Sequence, residues 1–426
     1  MCVKPLVVFA ENATVDEAVF FAEGTVMHHL SSKMKLGHPI VKDVMKLLRS
    51  CTQLPEHSLR PFTLFLALVT SSVKAQTVAV TESLKATLVK NIAFAIRREE
   101  DAWFASVTQP FPDPGKLIGK LIEQSTRYGG WHLIVTGLIE LALALLDSSP
   151  GLGKPDRKLK LVWALGSQIF VDMVTHNPDC AERVAQKLSG RILGARNSYQ
   201  YTQCFQRVVK ECKGQLLEDA GATINDLLEQ VPGLGVSGAK RVISALLPLI
   251  KHSKPLRNST ILILRKALFA LSPEVKQIGL NGVLQLLKSF RLPSSLAVTQ
   301  MSQSSGGLSQ AAVDVRRSGG SVSNEALCNE LIGVLRRGMS QHPSVRLNLY
   351  QGLYEVICRN PELCASVIYV LGQHPLVEAC RNESDEKDDL EPEVNLIDIR
   401  TVIRTEDDVD PVVVVRKKTQ FNLECI

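Results

Sequence analysis

The stretch that decides the fold class is Pro273-Glu-Val-Lys-Gln-Ile-Gly-Leu-Asn-Gly-Val-Leu-Gln-Leu-Leu-Lys-Ser-Phe290. Its apolar residues recur at spacings of three and four, which is the pattern of a helix with a buried face. Ser272 comes directly before Pro273, and proline is well tolerated in a first turn because the missing amide has no partner there. The stretch therefore predicts an α-helix that begins at Pro273.

The same pattern recurs along most of the chain, in segments of about 12–20 residues. The other predicted helices are Lys116–Thr126, His132–Leu146, Lys158–Thr175, Ala181–Leu193, Val236–Ile250 and Ser259–Ala270. Turn signals such as Asp113-Pro-Gly, Asn177-Pro-Asp and Val231-Pro-Gly separate them. Helices in series without strands predict an all-α fold: an irregular α-solenoid of HEAT/ARM-like antiparallel helix pairs with helical-bundle domains. We find no clean repeat period.

Composition narrows the class of protein. The chain has 426 residues with 45% hydrophobic and only 5% aromatic content, which suits many small helix–helix contacts. The formal net charge of +6 combines a basic body with an acidic tail, because residues 379–426 carry seven Lys/Arg against thirteen Asp/Glu. A basic body is compatible with a polyanionic partner, and equally with an ordinary solvated surface.

The cysteine pattern and the hydropathy indicate a protein with reduced thiols and without a membrane span. The ten cysteines include no Cys-x-x-Cys pair and no Cys/His block with zinc spacing, so reduced thiols in the cytosol or nucleus are expected. The apolar run Pro5–Ala10 is too short for a signal-peptide core. His132–Leu146 is too short to span a bilayer and contains Glu140. We therefore expect no membrane partner.

Catalytic motifs are hard to find. Gly151-Leu-Gly-Lys154 lacks the upstream glycine and the following Ser/Thr of a phosphate-binding loop, and is assigned to a turn. His28-His29 lies on a predicted helix without a carboxylate or cysteine at ligand spacing. No hydrolase, kinase or nucleotide fingerprint occurs. The sequence predicts no enzyme, no metal site and no cofactor, although an enzyme with an unrecognised site remains an alternative.

One segment resembles a helix-hairpin-helix. It is Leu227-Leu-Glu-Gln-Val-Pro-Gly-Leu-Gly-Val-Ser-Gly-Ala-Lys-Arg241. In that motif a tight glycine turn points backbone amides of a helix N-terminus at a DNA phosphate. Gly233 and Gly235 would form the turn, and Lys240 and Arg241 would add positive charge. A glycine-rich turn between two solenoid helices is the simpler interpretation.

A lysine in an apolar helix stands close to a cluster of phosphorylation motifs. Lys266 lies in Ile261-Leu-Ile-Leu-Arg-Lys-Ala-Leu-Phe269, a helix apolar nearly all round, which implies burial on more than one side. Lysine in such a helix snorkels or lies at a protein–protein interface. Thr299, Ser302 and Ser309 are each followed by glutamine. The dipeptide Ser/Thr-Gln is the target of the DNA-damage checkpoint kinases. These three sites lie in a Ser/Gly-rich segment without helical periodicity, which predicts a flexible loop.

Four stretches resemble the family of Fanconi anaemia complementation group I proteins. They are Leu262–Ala270, Gly282–Phe290, the Ser/Thr-Gln cluster, and Val345-Arg-Leu-Asn-Leu-Tyr-Gln-Gly-Leu-Tyr-Glu355. Weaker similarity extends over about residues 20–372. Family members are longer, so the chain resembles an internal piece. The family's layout implies a helical domain (27–115), a second solenoid (116–290) and the start of another helical domain (324–372), and residues 1–26 would then end a first solenoid. Composition adds the flexible Ser/Gly-rich phosphorylation loop (291–323). The acidic tail (373–426), whose residues 379–426 do not match the family, is expected to be disordered or divergent.

The resemblance implies a function as well as a fold. It implies a non-catalytic subunit of a DNA clamp that pairs with the paralogous Fanconi anaemia group D-2 protein on double-stranded or branched DNA during interstrand crosslink repair. Lys266 would be the acceptor of one ubiquitin from a conjugating enzyme and ligase. Thr299, Ser302 and Ser309 would be the checkpoint-kinase sites. A nuclear and also cytoplasmic location follows. A generic HEAT-like adaptor and a helix-hairpin-helix DNA binder are the alternatives.

Overall fold

The computed structural model describes residues 17–53, 59–149, 155–195, 199–290 and 327–372. Within these ranges the chain forms α-helices and short 3-10 helices, without β-strands, and the prediction of an all-α solenoid is confirmed. The α-helices are α1 (Glu17–Lys35), α2 (Ile40–Gln53), α3 (Pro61–Ser71), α4 (Thr77–Glu100), α5 (Ala102–Val107), α6 (Pro114–Tyr128), α7 (Trp131–Leu146), α8 (Arg157–His176), α9 (Ala181–Gly194), α10 (Tyr199–Glu211), α11 (Lys213–Asp219), α12 (Gly221–Gln230), α13 (Val236–His252), α14 (Lys254–Leu268), α15 (Pro273–Ser289), α16 (327–335), α17 (Pro343–Arg359) and α18 (Cys364–Gly372). Four 3-10 helices join them: Pro178–Cys180, Val231–Gly233, Arg336–Ser340 and Pro361–Leu363.

The chain divides into two compact units, residues 1–260 and 261–426, and the boundary falls inside α14. In the first unit, α7 packs against α3, α4 and α8, and α8 packs in turn against α6 and α10. This arrangement explains why α7 is apolar on every side: Leu133, Ile134, Leu138, Leu141 and Leu145 are all buried. The prediction of a buried helix at His132–Leu146 is confirmed.

Side chains at helix starts explain several boundaries. The Asp113 carboxylate accepts a hydrogen bond from the amide of Gly115 (2.9 Å), and Asp156 accepts one from Leu159 (2.8 Å). A carboxylate there satisfies amides that have no partner within the helix. The start of α14 differs from the prediction, because the Ser253 hydroxyl accepts from the amide of Leu256 (3.3 Å). The helix thus begins at Lys254, five residues before the predicted Ser259.

A glycine sets the crossing of α3 and α7. A Cβ added at Gly137 would overlap the carbonyl oxygen of Leu68 and the hydroxyl of Ser71. The Ser72 hydroxyl donates to the Leu133 carbonyl (2.8 Å) and accepts from the Gly137 amide (3.1 Å). Ser72 therefore bonds to two backbone groups of α7, the Leu133 carbonyl and the Gly137 amide, from the end of α3. Only a residue without a side chain permits this approach.

Polar contacts tie the neighbouring helices of the first unit together. The Tyr201 hydroxyl on α10 donates to the Asp147 carboxylate, which also forms an ion pair with Arg191 on α9 (3.1 Å). Burial, followed by the bond to Asp147, raises the pKa of Tyr201 to about 12. The phenol therefore stays a hydrogen-bond donor across the physiological pH range. These contacts hold the end of α7 between α9 and α10.

In the second unit, α15 packs against α17, and a buried asparagine closes the end of α15. The Asn360 amide donates to the carbonyls of Leu287 and Phe290, both at 2.8 Å. These carbonyls belong to the last turn of a helix, where no intrahelical donor is available. Lys276 on α15 also donates to the side-chain oxygen of Gln341 (2.7 Å). The second unit is therefore closed by polar contacts at both ends of α15.

The carboxyl group of Glu23 lies in the core and forms no ion pair with any residue that the structure describes. Glu23 occupies the buried face of α1 together with Met27 and Met34, and it is only 6% exposed. Within the described residues its Oε1 atom has no hydrogen-bond partner. Burial raises the pKa of Glu23 from 4.5 to about 7. The folded state therefore favours the protonated acid.

Gly137→Ala tests the crossing of α3 and α7. We expect it to destabilise the protein by about 1–3 kcal/mol, because the added methyl group must displace backbone atoms. The matched control is Gly190→Ala, in the interior of α9, where an added Cβ meets nothing within 4 Å. That control should be neutral or stabilise by up to about 1 kcal/mol. Urea midpoints for the two variants that shift alike would contradict the crossing geometry.

Glu23→Gln tests the buried acid. Because the folded-state pKa is above the unfolded-state value, the wild type loses stability as pH rises from about 4.5 to about 7. Glutamine removes that cost, by up to about 3 kcal/mol. The variant should therefore melt higher than wild type at pH 8 and nearly equal to it at pH 4.5. The exposed Glu218→Gln is the control, and an equal effect of both substitutions at pH 8 would disprove the account.

Candidate functional site

Lys266 lies in the last turn of α14, within the second unit. Its carbonyl oxygen accepts from the amide of Phe269 (3.1 Å), an i to i+3 bond that tightens the helix where it ends. A positive side chain here is favourable, because the carbonyl end of a helix carries partial negative charge. Lys266 therefore lies near the C-terminal end of α14 and not in its middle.

The side chain of Lys266 is exposed to solvent. Among the described residues, no hydrogen bond or ion pair holds its ammonium group. The adjacent Arg265 behaves differently, because its guanidinium pairs with the carboxylate of Glu330 at 2.9 Å. Lys266 is therefore available to an external reagent while its neighbour is held.

The structure differs from the expectation that α14 is buried on more than one side. Ile261, Leu264 and Ala267 form one buried face. Leu262 shares the exposed face with Lys266 and is 52% exposed, and Phe269 is 54% exposed. The apolar composition therefore reflects a packed inner face together with exposed apolar side chains beside the lysine. Lys266 does not snorkel out of a buried environment.

The buried face of α14 rests on a glycine of α15. A Cβ added at Gly279 would lie 2.8 Å from both the carbonyl oxygen of Leu264 and the amide nitrogen of Leu268. These two backbone atoms flank Lys266 in sequence. The backbones of α14 and α15 therefore touch directly beneath the lysine, which leaves the helix little freedom to rotate.

Two further contacts beside Lys266 were missed in the sequence. One is the ion pair of Arg265 with Glu330, and the other places the guanidinium of Arg337 4.9 Å from the centre of the Phe269 ring. Both partners lie 65 or more residues further along the chain. A phenylalanine at the end of a helix could have indicated a contact with another segment, but nothing in the sequence identifies Arg337 as its partner.

The hairpin-like segment lies in the first unit. The 3-10 helix Val231–Gly233 leads into α13, whose first residue is Val236. Gly235 precedes it with φ −61°, and its side-chain position faces open space, as does that of Gly233. Neither glycine is therefore required by the backbone. Gly235 has no side chain to accept hydrogen bonds from the first amides of α13. Amides at a helix start that lack such a cap can donate to a phosphate oxygen.

The two basic residues proposed for this motif differ in exposure. Lys240 is exposed on α13, whereas Arg241 is half-buried and its Nε atom has no hydrogen-bond partner among the described residues. The structure thus places Gly233, Gly235 and Lys240 near the start of α13. The side chain of Arg241 is not fully exposed there, contrary to what the motif would require.

Thr299, Ser302 and Ser309 lie outside the described residues, as do Gly151–Lys154 and the acidic tail. Their roles stay predictions. Lys266 lies in the second unit and the hairpin residues lie in the first.

Metal and thiol chemistry finds little support in the described part of the chain. No group of three or more His, Cys, Asp or Glu residues there is arranged to hold a metal ion. Burial raises the pKa of the Cys180 and Cys204 thiols to about 12, so both stay protonated and act as packing groups. None of the helices in the described ranges combines the length and apolar character that crossing a membrane requires.

Comparison with known proteins gives a consistent assignment. Three family models match in succession: FANCI helical domain 1 over residues 39–124, FANCI solenoid 2 over residues 134–284, and FANCI helical domain 2 over residues 298–405. Lys266 and the hairpin-like segment both lie within the solenoid 2 match.

Curated relatives agree with the family models. The Fanconi anemia group I protein of Gallus gallus is 26% identical over 377 residues, which is 85% of this chain and 28% of the relative. The Fanconi anemia group I protein homolog of Mus musculus is 26% identical over 375 residues, 84% of this chain and 28% of the relative. The chain thus spans about 28% of the length of these relatives. The three domain models cover most of its residues, and the chain belongs to the Fanconi anaemia group I protein family.

Proposed function

We propose that this chain is a non-catalytic scaffold of a monoubiquitinated DNA clamp that acts in interstrand crosslink repair, with Lys266 as the ubiquitin acceptor. The observation that carries the proposal is the placement of Lys266 at the exposed end of α14. It is solvent-exposed and, among the described residues, without a partner, in a region similar to FANCI solenoid 2. A lysine without a partner is readily accessible to a conjugating enzyme.

The chemistry at Lys266 is an acyl transfer. The Nζ atom, once it has lost a proton to solvent or to a base of the conjugating enzyme, attacks the thioester carbonyl at the C-terminus of ubiquitin. The N–C isopeptide bond forms and the C–S bond breaks, so the cysteine of the conjugating enzyme leaves as a thiolate and the second proton of the amine passes to solvent or to the same base. The chain supplies only the nucleophile and its orientation. This division of labour fits a scaffold whose partners are ubiquitin, a conjugating enzyme and a ligase.

The proposed assembly is a heterodimer with the paralogous Fanconi anaemia group D-2 protein on double-stranded or branched DNA in the nucleus. The basic body of the chain supports a polyanionic partner, since cations on a protein surface release counterions from DNA. A generic HEAT-like adaptor without a DNA role would instead show no salt-sensitive DNA binding and no preference for duplex.

Phosphorylation would regulate this clamp. Adding phosphate to Thr299, Ser302 and Ser309 introduces about −4.5 to −6 charge units into the 293–323 segment. We propose that this charge favours the closed, DNA-bound heterodimer. Ubiquitin on Lys266 would then contact the partner and slow reopening.

Lys266→Arg should abolish the ubiquitin conjugate, because a guanidinium retains the charge but is not a nucleophile at neutral pH. Reconstituted conjugation with duplex DNA and the group D-2 protein, followed on a denaturing gel, measures this. Lys254→Arg, an exposed lysine at the other end of the same helix, is the control and should retain the wild-type rate. A conjugate that persists in Lys266→Arg at the wild-type level would contradict the proposal.

Asp at Thr299, Ser302 and Ser309 tests the phosphorylation switch. We expect slower release of the heterodimer from duplex DNA than for wild type, measured as a dissociation rate at fixed salt. The control places the same charge at Ser294, Ser295 and Ser305, serines of the same stretch that do not precede glutamine. Unchanged retention in the first variant, or equal retention in both, would remove the switch from the account.

The helix-hairpin-helix alternative is separated by the double variant Gly233→Ala, Gly235→Ala. Both positions face open space and neither has positive φ, so the fold should persist. The clamp proposal expects a small effect on duplex binding, whereas the alternative expects binding to be lost.

A further inference from the structure

We propose that Arg265 and Arg337 are positioning residues that fix the orientation of Lys266 for ubiquitin transfer. The inference rests on the proposed function of Lys266 as the acceptor. Its basis is a pair of contacts that join the last turn of α14 to residues 327–340, one just before the lysine and one just after it.

The first contact lies directly before the lysine. Arg265 Nη2 is 2.9 Å from Glu330 Oε1, and the two side chains are 43% and 52% exposed. An ion pair with that exposure contributes little to stability, because water screens both charges. The planar guanidinium nevertheless restricts the geometry of its partner, since its donors lie in one fixed plane. The pair therefore orients the turn more than it stabilises the fold.

The second contact lies three residues after the lysine. The guanidinium carbon of Arg337 is 4.9 Å from the centre of the Phe269 ring, within the range of a cation–π interaction. Phe269 lies just beyond the end of α14, its side chain is 54% exposed, and its amide makes only the i to i+3 bond to the Lys266 carbonyl (3.1 Å). The arginine thus restrains a residue that would otherwise fray.

Together these contacts bracket a stretch of five residues centred near Lys266. Glu330 lies on α16 and Arg337 on the 3-10 helix that follows. One continuous segment therefore contacts the chain both before Lys266, at Arg265, and after it, at Phe269. From beneath, Gly279 of α15 abuts the backbone at Leu264 and Leu268. The backbone of the turn is held on three sides while the Lys266 side chain is left unheld among the described residues. Acyl transfer depends steeply on such placement, because small misplacements of a reacting group cost large factors in rate.

The test is the initial rate of conjugation at Lys266 in the 426-residue chain, with ubiquitin, conjugating enzyme, ligase, partner and duplex DNA, and with every modified lysine mapped by mass spectrometry. Arg265→Glu should lower the rate about threefold to tenfold. The double charge swap Arg265→Glu, Glu330→Arg should restore it to within about twofold. Arg337→Ala should lower the rate, whereas Arg337→Lys should retain most of it because an ammonium also binds the ring face.

Lys187→Glu is the control, because it breaks the ion pair of the exposed Lys187 with Glu140 in the first unit and should leave the rate unchanged. Rescue by the swap separates positioning from a loss of fold, which the swap would not repair. If wild type is modified at Lys266 and Arg265→Glu keeps the wild-type rate, the positioning role is wrong while the proposed function stands. If wild type is not modified at Lys266, both are overturned.

Discussion

Direct contact between helix backbones at glycine is the constraint on which each unit depends. In the first unit, α7 approaches α3 so closely at Gly137 that a methyl group there would overlap the backbone of Leu68. One layer on, a Cβ at Gly166 of α8 would lie 2.9 Å from the carbonyl oxygen of Ala142 on α7. In the second unit Gly279 brings α15 onto α14. Such contacts fix the separation and rotation of each helix pair, because interiors packed at crystal density do not deform gradually.

The contact at Gly279 links helix packing to the exposure of Lys266. It presses on the backbone at Leu264 and Leu268, and so determines which face of α14 turns outward. The outward face carries Lys266 together with the exposed Leu262. A lysine whose side chain is unheld among the described residues, on a turn whose backbone is held, combines access with order. Under the proposed function, that combination would suit a conjugating enzyme, which requires an accessible lysine in a defined position.

Periodicity in the sequence placed six of the seven helices predicted with bounds to within two residues at each end. The start of α14 escaped because its signal is a single hydroxyl, that of Ser253, and Pro255 reads equally well as a turn. The burial of α14 on more than one side was predicted wrongly. When a helix is apolar nearly all round, its sequence does not show which face packs against a neighbour. Contacts of Arg265 and Phe269 with residues 330 and 337 were beyond prediction, because exposed pairs distant in sequence leave no periodic trace.

The central claim is that the fold presents one particular lysine for modification. Its most direct measurement is a mass-spectrometric map of the ubiquitin remnant over all lysines of the wild-type chain, after brief conjugation in the presence of the group D-2 protein and duplex DNA. The account predicts a single site, Lys266, with one ubiquitin per chain. Modification scattered over many lysines, or concentrated at a lysine other than Lys266, would contradict it.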